Sequence, residues 1–264
     1  MTTARIFMRA ALVAAVFLGA CGKEQRKPLR LATTTSVTDS GLLAVLLPAF
    51  EKKSGMKVEV SSLGSGQALA KLASGEADVA ITHAPGEEQA MLTEGRIATR
   101  TPFMRNDFVL VGPPAAVDTV AGSANAVDAM KRVADAKLRF VSRGDKSGTN
   151  QRELELWKQA GVPADAAFIR SVGAGMGATL GRASIEEAVT LSDRATFIAK
   201  RKELNLAILF QGDEHLANVY SVILPREGSA GRALAEYLKS VEGRAVIGGF
   251  GVAQHGEPLF TPLD

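Results

Sequence analysis

Short hydroxyl side chains and glycines gather at three places in this sequence. The first is Thr33-Thr34-Thr35-Ser36, running on to Ser40-Gly41; the second is Ser61-Ser62-Leu63-Gly64-Ser65-Gly66; the third is Ser142-Arg143-Gly144-Asp145-Lys146-Ser147-Gly148-Thr149. Hydroxyls donate hydrogen bonds, and glycines let a ligand approach the backbone N–H groups. Where such a run opens a helix, the first N–H groups lack intrahelical partners and the dipole favours negative charge, which makes an anion site. A Ser or Thr there also caps the helix, which stabilises by about 1 kcal/mol, and capping alone accounts for any one run. Four consecutive hydroxyls exceed what one cap uses, and Arg143 adds a planar fork suited to two oxyanion contacts.

Other chemistries find less support. Gly173-Ala174-Gly175-Met176-Gly177-Ala178 fits GxGxxA, with Asp193 downstream, but it lies mid-chain and Thr179-Leu180-Gly181 continues it poorly as a helix. The run reads better as a fourth loop of backbone donors. Gly144-Asp145-Lys146-Ser147-Gly148 lacks P-loop spacing, and Gly64-Ser65-Gly66 is not a hydrolase elbow. The three histidines, His83, His215 and His255, show no metal-ligand spacing, so no cation site and no cofactor is expected. His83, beside an apolar strand, reads as structural. An exported α/β hydrolase acting through one of the serines lacks a recognisable base in the sequence.

Around these runs, β-rich stretches alternate with helical periods. Leu29 to Ala32, Met56 to Ser61 and Ala77 to Thr82 read as strands, with helices over Gly41 to Lys53 and Gln67 to Ser74 between them. Arg96 to Val111 reads as strands, interrupted by Gly112-Pro113-Pro114. A second alternation follows: helix Ala126 to Ala136, strand Leu138 to Ser142, helix Gln151 to Ala160, strand Ala167 to Val172 and a helix around Ile185 to Ala188. Asn218 to Leu224 is then a strand, Ala230 to Ser240 a helix and Arg244 to Phe250 an apolar-rich close. Two α/β units follow from this pattern, and in such sheets ligands bind beyond the carboxyl ends of the strands, where the three hydroxyl runs lie.

The chain has 264 residues, with 31 Lys and Arg against 28 Asp and Glu. No basic block points to nucleic acid. Residues 1–20 combine Arg5 and Arg9, an apolar run from Ala10 to Phe17 and the small residues before Cys21, the parts of a secretory signal. The run is shorter than the roughly 20 residues a membrane span needs. Leu18-Gly19-Ala20-Cys21 is similar to a bacterial lipobox, which makes Cys21 the lipid-bearing first residue of the mature chain and 21–28 a tether. Loss of the signal leaves 29 basic against 28 acidic side chains, so any anion preference must come from a local site.

Taken together, Leu31-Ala32-Thr33-Thr34-Thr35-Ser36 with Ser40-Gly41-Leu42-Leu43, Ala77-Asp78-Val79 to His83-Ala84-Pro85, Ser142-Arg143-Gly144-Asp145 to Ser147-Gly148-Thr149 with Glu153-Leu154 and Trp157, and Gly175-Met176-Gly177-Ala178-Thr179 to Asp193-Arg194 resemble the TupA-type tungstate-binding proteins of ABC importers. The resemblance covers nearly the whole mature chain in the same order. It implies a type II periplasmic-binding-protein fold: two α/β lobes, joined by hinge strands, with the ligand cleft between them. Lobe I is expected at 29–111, with 217–264 returning to it, and lobe II at 112–216. Carried over by position, the oxyanion-binding set is Thr34, Ser36, Ser65, Gly66, Arg143 and Thr149. Backbone donors near Gly175 and Met176 complete it, and Thr35, Ser147 and Thr190 stand at its edge.

The family also implies a receptor without catalysis: a monomer held at the periplasmic or cell-surface side by lipid on Cys21, delivering its cargo to an ABC permease. Tungstate and molybdate are tetrahedral dianions without a proton near neutral pH, so hydroxyls, amides and a guanidinium suit them as donors. Sulfate or phosphate on the same fold are alternatives; a protonatable phosphate admits a carboxylate acceptor in the site. Asp39 and Asp145 are expected to serve caps or to hold Arg143.

Overall fold

A computed structural model describes residues 27–225 and 229–264. The signal, Cys21 and most of the tether lie outside the described residues. In chain order the elements begin with β1 (Leu29–Thr34), α1 (Thr35–Asp39), α2 (Leu43–Ser54), β2 (Val58–Leu63), α3 (Ser65–Ala73), β3 (Val79–Thr82) and α4 (Pro85–Thr93). Next come β4 (Thr99–Gly112), α5 (Val117–Val120), α6 (Ala126–Asp135), β5 (Phe140–Ser142), α7 (Gly148–Gln159), β6 (Ile169–Ser171) and α8 (Met176–Glu186). The chain then forms β7 (Thr190–Asp193), α9 (Arg194–Lys200), β8 (Ala207–Phe210), β9 (Ala217–Leu224), α10 (Arg232–Lys239), α11 (Val241–Gly249), α12 (Val252–His255) and β10 (Thr261–Pro262).

The fold is two α/β lobes. In the first, strand order is β10-β4-β9-β3-β1-β2. β1 pairs in parallel with β2 and β3, as βαβ connections require, while β3 and β4 both pair antiparallel with the returning β9. Every residue of β3 is buried, because it lies between β1 and β9 and apolar clusters pack on both of its faces, Val79 and Ile81 in one and Ala80 in the other. β4 is continuous where the sequence suggested several strands, and it changes partner along its length. Thr99 to Asp107 pairs with β9, whereas Phe108 to Val111 faces β7 and Leu110 to Gly112 pairs with β8. β5 and β6 pair in parallel, and Phe140 bridges to Val189 just before β7.

One buried cluster surrounds Phe140, Leu156 and Trp157 in the second lobe, and another surrounds Leu69, Leu72 and Ile223 in the first. The largest joins the two: Val37 and Leu42 share it with Met176, Leu180, Ala195 and Ile198.

One local reading is corrected and another is given its element. The glycine run at 173–178 does not remain a loop: α8 starts at Met176 and runs through Gly181, ending at Glu186 rather than spanning 185–188. A Cβ on Gly177 would lie 2.7 Å from Lys200 Cε and 3.0 Å from an Asp39 oxygen, the ends of two side chains that would have to shift. The apolar close at 244–250 is α11, whose start is capped by Ser240 through the Gly243 N–H at 3.1 Å.

Candidate functional site

The ends of β1, β3 and β5 and the starts of α1, α3 and α7 converge between the lobes. Thr34, in extended conformation, precedes α1, and its hydroxyl lies 3.0 Å from that of Ser36. Ser36 Oγ is also 3.4 Å from the Tyr220 hydroxyl and 3.5 Å from His83 Nε2. Ser65 opens α3 and its hydroxyl accepts the His83 N–H at 3.4 Å. Thr34, Ser36, Ser65 and His83 are all buried.

The third run enters from the other lobe. Gly144 and Lys146 turn the chain with φ of +61° and +58°, the left-handed region that glycine adopts without a steric penalty. Arg143 is only 1% exposed. Its Nη2 donates to the Asp145 carboxylate and, at 3.1 Å, to Thr35 Oγ1 across the cleft; its Nε donates to the Ala174 carbonyl at 3.2 Å. Asp145 also accepts the Ser147 N–H, and Ser147 caps α7 by accepting the Asn150 N–H at 3.2 Å. Ser147 thus spends its hydroxyl on the helix. Thr149, in the first turn of α7, is fully buried and its hydroxyl has no partner. A buried polar atom left so is costly without a ligand or water to meet it.

The remaining expected members divide. Gly175 abuts Thr35, with a hypothetical Cβ 3.2 Å from its methyl, so the start of α8 closes on the first run. Met176 buries its side chain in the core, which leaves its backbone as the only donor. The next N–H, of Gly177, is already taken by Asp39 Oδ2 at 2.9 Å. Gly66 sits beside the Glu87 carboxylate rather than among the hydroxyls, and Thr190 donates to the Val141 carbonyl at 2.7 Å inside the second lobe.

Several contributors were not expected from the sequence. Asn218 and Asn106 face each other across β9 and β4, and Asn218 Nδ2 donates to Asn106 Oδ1 at 2.7 Å and to the Tyr220 hydroxyl at 2.9 Å. Asn106 Nδ2 in turn reaches Asp193 Oδ1 at 3.4 Å. The available signal was period-two spacing: Asn218 and Tyr220 fall on one face of a strand, two polar groups on a side that should be buried. His83 is no bystander, because Gly148 packs on it so tightly that a Cβ would come within 2.3 Å of its carbonyl oxygen.

Burial sets the charges. It lowers the His83 pKa to about 4 against the opposing bond to Asn218, so the ring is neutral near pH 7. With Asn218 Oδ1 at 2.7 Å from Nδ1, the proton is assigned to Nδ1, and Nε2 faces Ser36 as an acceptor. Burial raises Glu153 to about 8, despite bonds from Ser142 and the Arg143 N–H, and raises Asp193 to about 6 against its bond from Thr196. Ser36, His83 and Asn218 follow one another as a nucleophile, base and orienting group would, an arrangement the sequence did not reveal. A histidine held near 4 is a weak base at neutral pH, and a neutral Asn does little to stabilise an imidazolium. The geometry favours holding an anion: buried hydroxyls and one guanidinium surround the cleft, and His83 carries no charge.

Comparisons with known proteins agree with this architecture. Residues 22–242 match the family model of the PBP superfamily domain. The tungstate-binding protein TupA of Peptoclostridium acidaminophilum is 38% identical over 244 residues, 88% of this chain and 84% of that protein. Among solved structures, the tungstate ABC transporter protein from Geobacter sulfurreducens superposes with a TM-score of 0.76 at 39% identity, covering 84% of this chain and 97% of that one. The tungstate-binding protein TupA from Desulfovibrio alaskensis G20 gives 0.74 at 34% identity, covering 89% and 99%. The chain therefore belongs to the PBP superfamily and, within it, to the TupA family.

Proposed function

We propose that this protein is the extracytoplasmic solute-binding component of an ABC importer, capturing a tetrahedral oxyanion, tungstate first, and delivering it to a membrane permease. The observation that carries this reading is the buried donor set between the lobes: the Thr34 and Ser36 hydroxyls, the unpartnered Thr149 hydroxyl and the Arg143 guanidinium. A fully deprotonated dianion accepts from every one of these groups. Ser65 supports the shell through His83, Thr35 and Ser147 through their hold on Arg143 and α7, and the backbone at Gly175 and Met176 closes it.

A cavity of about 380 Å³ reaches His83 and Asn218 from outside, with Arg100 and Arg152 on its wall, each paired with a carboxylate, Glu88 and Glu155. It is a route by which an anion arrives. Lobes I and II, bounded as the sequence suggests, would then move about the crossing at β4. Closure would bring Arg143 to Thr35 and Gln151 to Glu87, a bond of 3.2 Å between α7 and α4. Lipid on Cys21 would hold the monomeric body at the membrane. Nothing in this cycle requires turnover.

Isothermal titration of the full-length protein with tungstate, molybdate, sulfate and phosphate tests the reading. Saturable one-to-one binding, tightest for tungstate or molybdate, is expected. A preference for sulfate or phosphate changes the cargo, and binding of none of the four removes the function.

A further inference from the structure

Charge in the closed site does not balance for a dianion. Among the described residues Arg143 is the one buried Lys or Arg, and Asp145 already neutralises it. His83 is uncharged, and two more carboxyls, Glu153 and Asp193, are buried close by. Asp193 ends β7 directly opposite Phe108, where β4 changes partner. Its Oδ1 accepts the Thr196 N–H at 2.9 Å and Asn106 Nδ2 at 3.4 Å, while its Oδ2 is buried with no partner. Two routes tie it to the first hydroxyl run: Thr196 Oγ1 donates to the Ser36 carbonyl at 3.2 Å, and Asn106 leads through Asn218 and Tyr220 to Ser36 Oγ.

Resting on the oxyanion reading, we propose that the site captures its anion together with one proton, taken from solvent and held on Asp193 Oδ2. The bookkeeping is simple: an ionised carboxylate, a proton and a dianion enter, and a neutral carboxylic acid beside a bound dianion results. Protonation turns an unpartnered acceptor into an O–H donor, the kind of group an oxyanion accepts from. It also removes a negative charge from a poorly solvated cluster that is gaining two.

Asp193 is the group whose state must change. Glu153, pushed up to about 8, already holds its proton near neutrality. Asp193, at about 6, is ionised there in the free protein and is the carboxyl that an incoming negative charge would lift through pH 7. It is faced by Arg143 from the β5–α7 loop, Tyr220 from β9, Asn106 from β4 and Thr196 from α9; of these only Arg143 is charged, and it favours the ionised form. His83 is the competing acceptor, but it would need a far larger lift and both ring nitrogens already face partners.

The test is titration of the full-length protein with sodium tungstate at pH 7 in two buffers of different ionisation enthalpy, repeated from pH 6 to 7, where Glu153 keeps its proton and Asp193 does not. The expected result is an uptake approaching one proton per anion, with affinity falling toward tenfold per pH unit. In Asp193→Asn, which keeps an oxygen for Thr196, the buffer dependence disappears and affinity becomes flat over that range. Equal heats in both buffers for the wild-type protein overturn the proposal even if the variant fails to fold, and so does proton uptake that persists in Asp193→Asn. Binding without uptake sinks this inference alone, whereas no saturable binding of any oxyanion sinks the anion reading and this inference with it.

Discussion

Arg143 carries the positive charge of the candidate site, and its geometry is set by Asp145, Thr35 and the Ala174 carbonyl. Each of these holds the planar fork in one orientation, so truncation removes both charge and aim. Arg143→Ala and Thr149→Ala should each weaken tungstate binding by about 1.5–3 kcal/mol, the range for hydrogen bonds to a charged group, as read by titration calorimetry. Unchanged affinity in both would take these residues out of the site. Glu153 makes a separate prediction in the ligand-free protein. Its folded pKa of about 8 lies above the unfolded value of 4.5, so the native state keeps a proton that the unfolded state has lost, and stability falls as pH rises between those values. His83, lowered to about 4, gives the opposite slope only below 6.5, and Asp193, at about 6, acts below that value. From pH 6.5 to 8 Glu153 therefore dominates among the three, with a loss of about 2 kcal/mol. Denaturant titrations should show that decline in the wild-type protein and a nearly flat profile in Glu153→Gln.

At the scale of elements, the glycines within helices separate function from tolerance. Gly148 begins α7, and a methyl there would overlap the His83 carbonyl at 2.3 Å. That clash is with backbone and cannot be relieved by a rotamer change, so Gly148→Ala must push α7 away from β3. It should destabilise by at least about 1–3 kcal/mol and weaken oxyanion binding with it. Gly181, inside α8, has nothing within 4 Å of a hypothetical Cβ and no positive φ. Gly181→Ala should instead stabilise by about 0.5–1 kcal/mol, because alanine loses less backbone entropy on entering a helix. Thermal melts of the pair decide both, and a stable Gly148→Ala protein with normal binding would mean that α7 need not touch His83. The same elements show how a sequence pattern falls short. The glycine run at 173–178 looked unfit for a helix by propensity, yet Met176, Leu180 and Ala183 are buried on one face and tertiary packing carries α8 through both Gly177 and Gly181.

Across the whole molecule, β4 belongs to both lobes and the largest apolar cluster joins Val37 and Leu42 to Met176, Leu180 and Ile198. Two lobes so connected should melt as one unit. Calorimetry is expected to give a single transition, and saturating tungstate, at about 100 times Kd, should add about 2.7 kcal/mol and raise the midpoint by several degrees. Two separate transitions in the ligand-free protein would show that the shared cluster does not couple the lobes.

The alternation of strands and helices, the hydroxyl runs at their joins and the Arg143 loop were all legible from residue order, because period and turn chemistry are local properties of a chain. Even the capping role of Ser147 and the hold of Asp145 on Arg143 follow from neighbours a few positions apart. The other half of the candidate site was not legible. His83, just after β3, and Asn106, Asp193, Asn218 and Tyr220, from β4, β7 and β9, have a spacing in sequence that carries no common period. Only the antiparallel return of β9 between β3 and β4, and the change of partner along β4 at Phe108, brings them together. Burial then decides their charge: the low-dielectric interior keeps His83 neutral and raises Asp193 and Glu153, a property of surroundings that residue type alone does not determine.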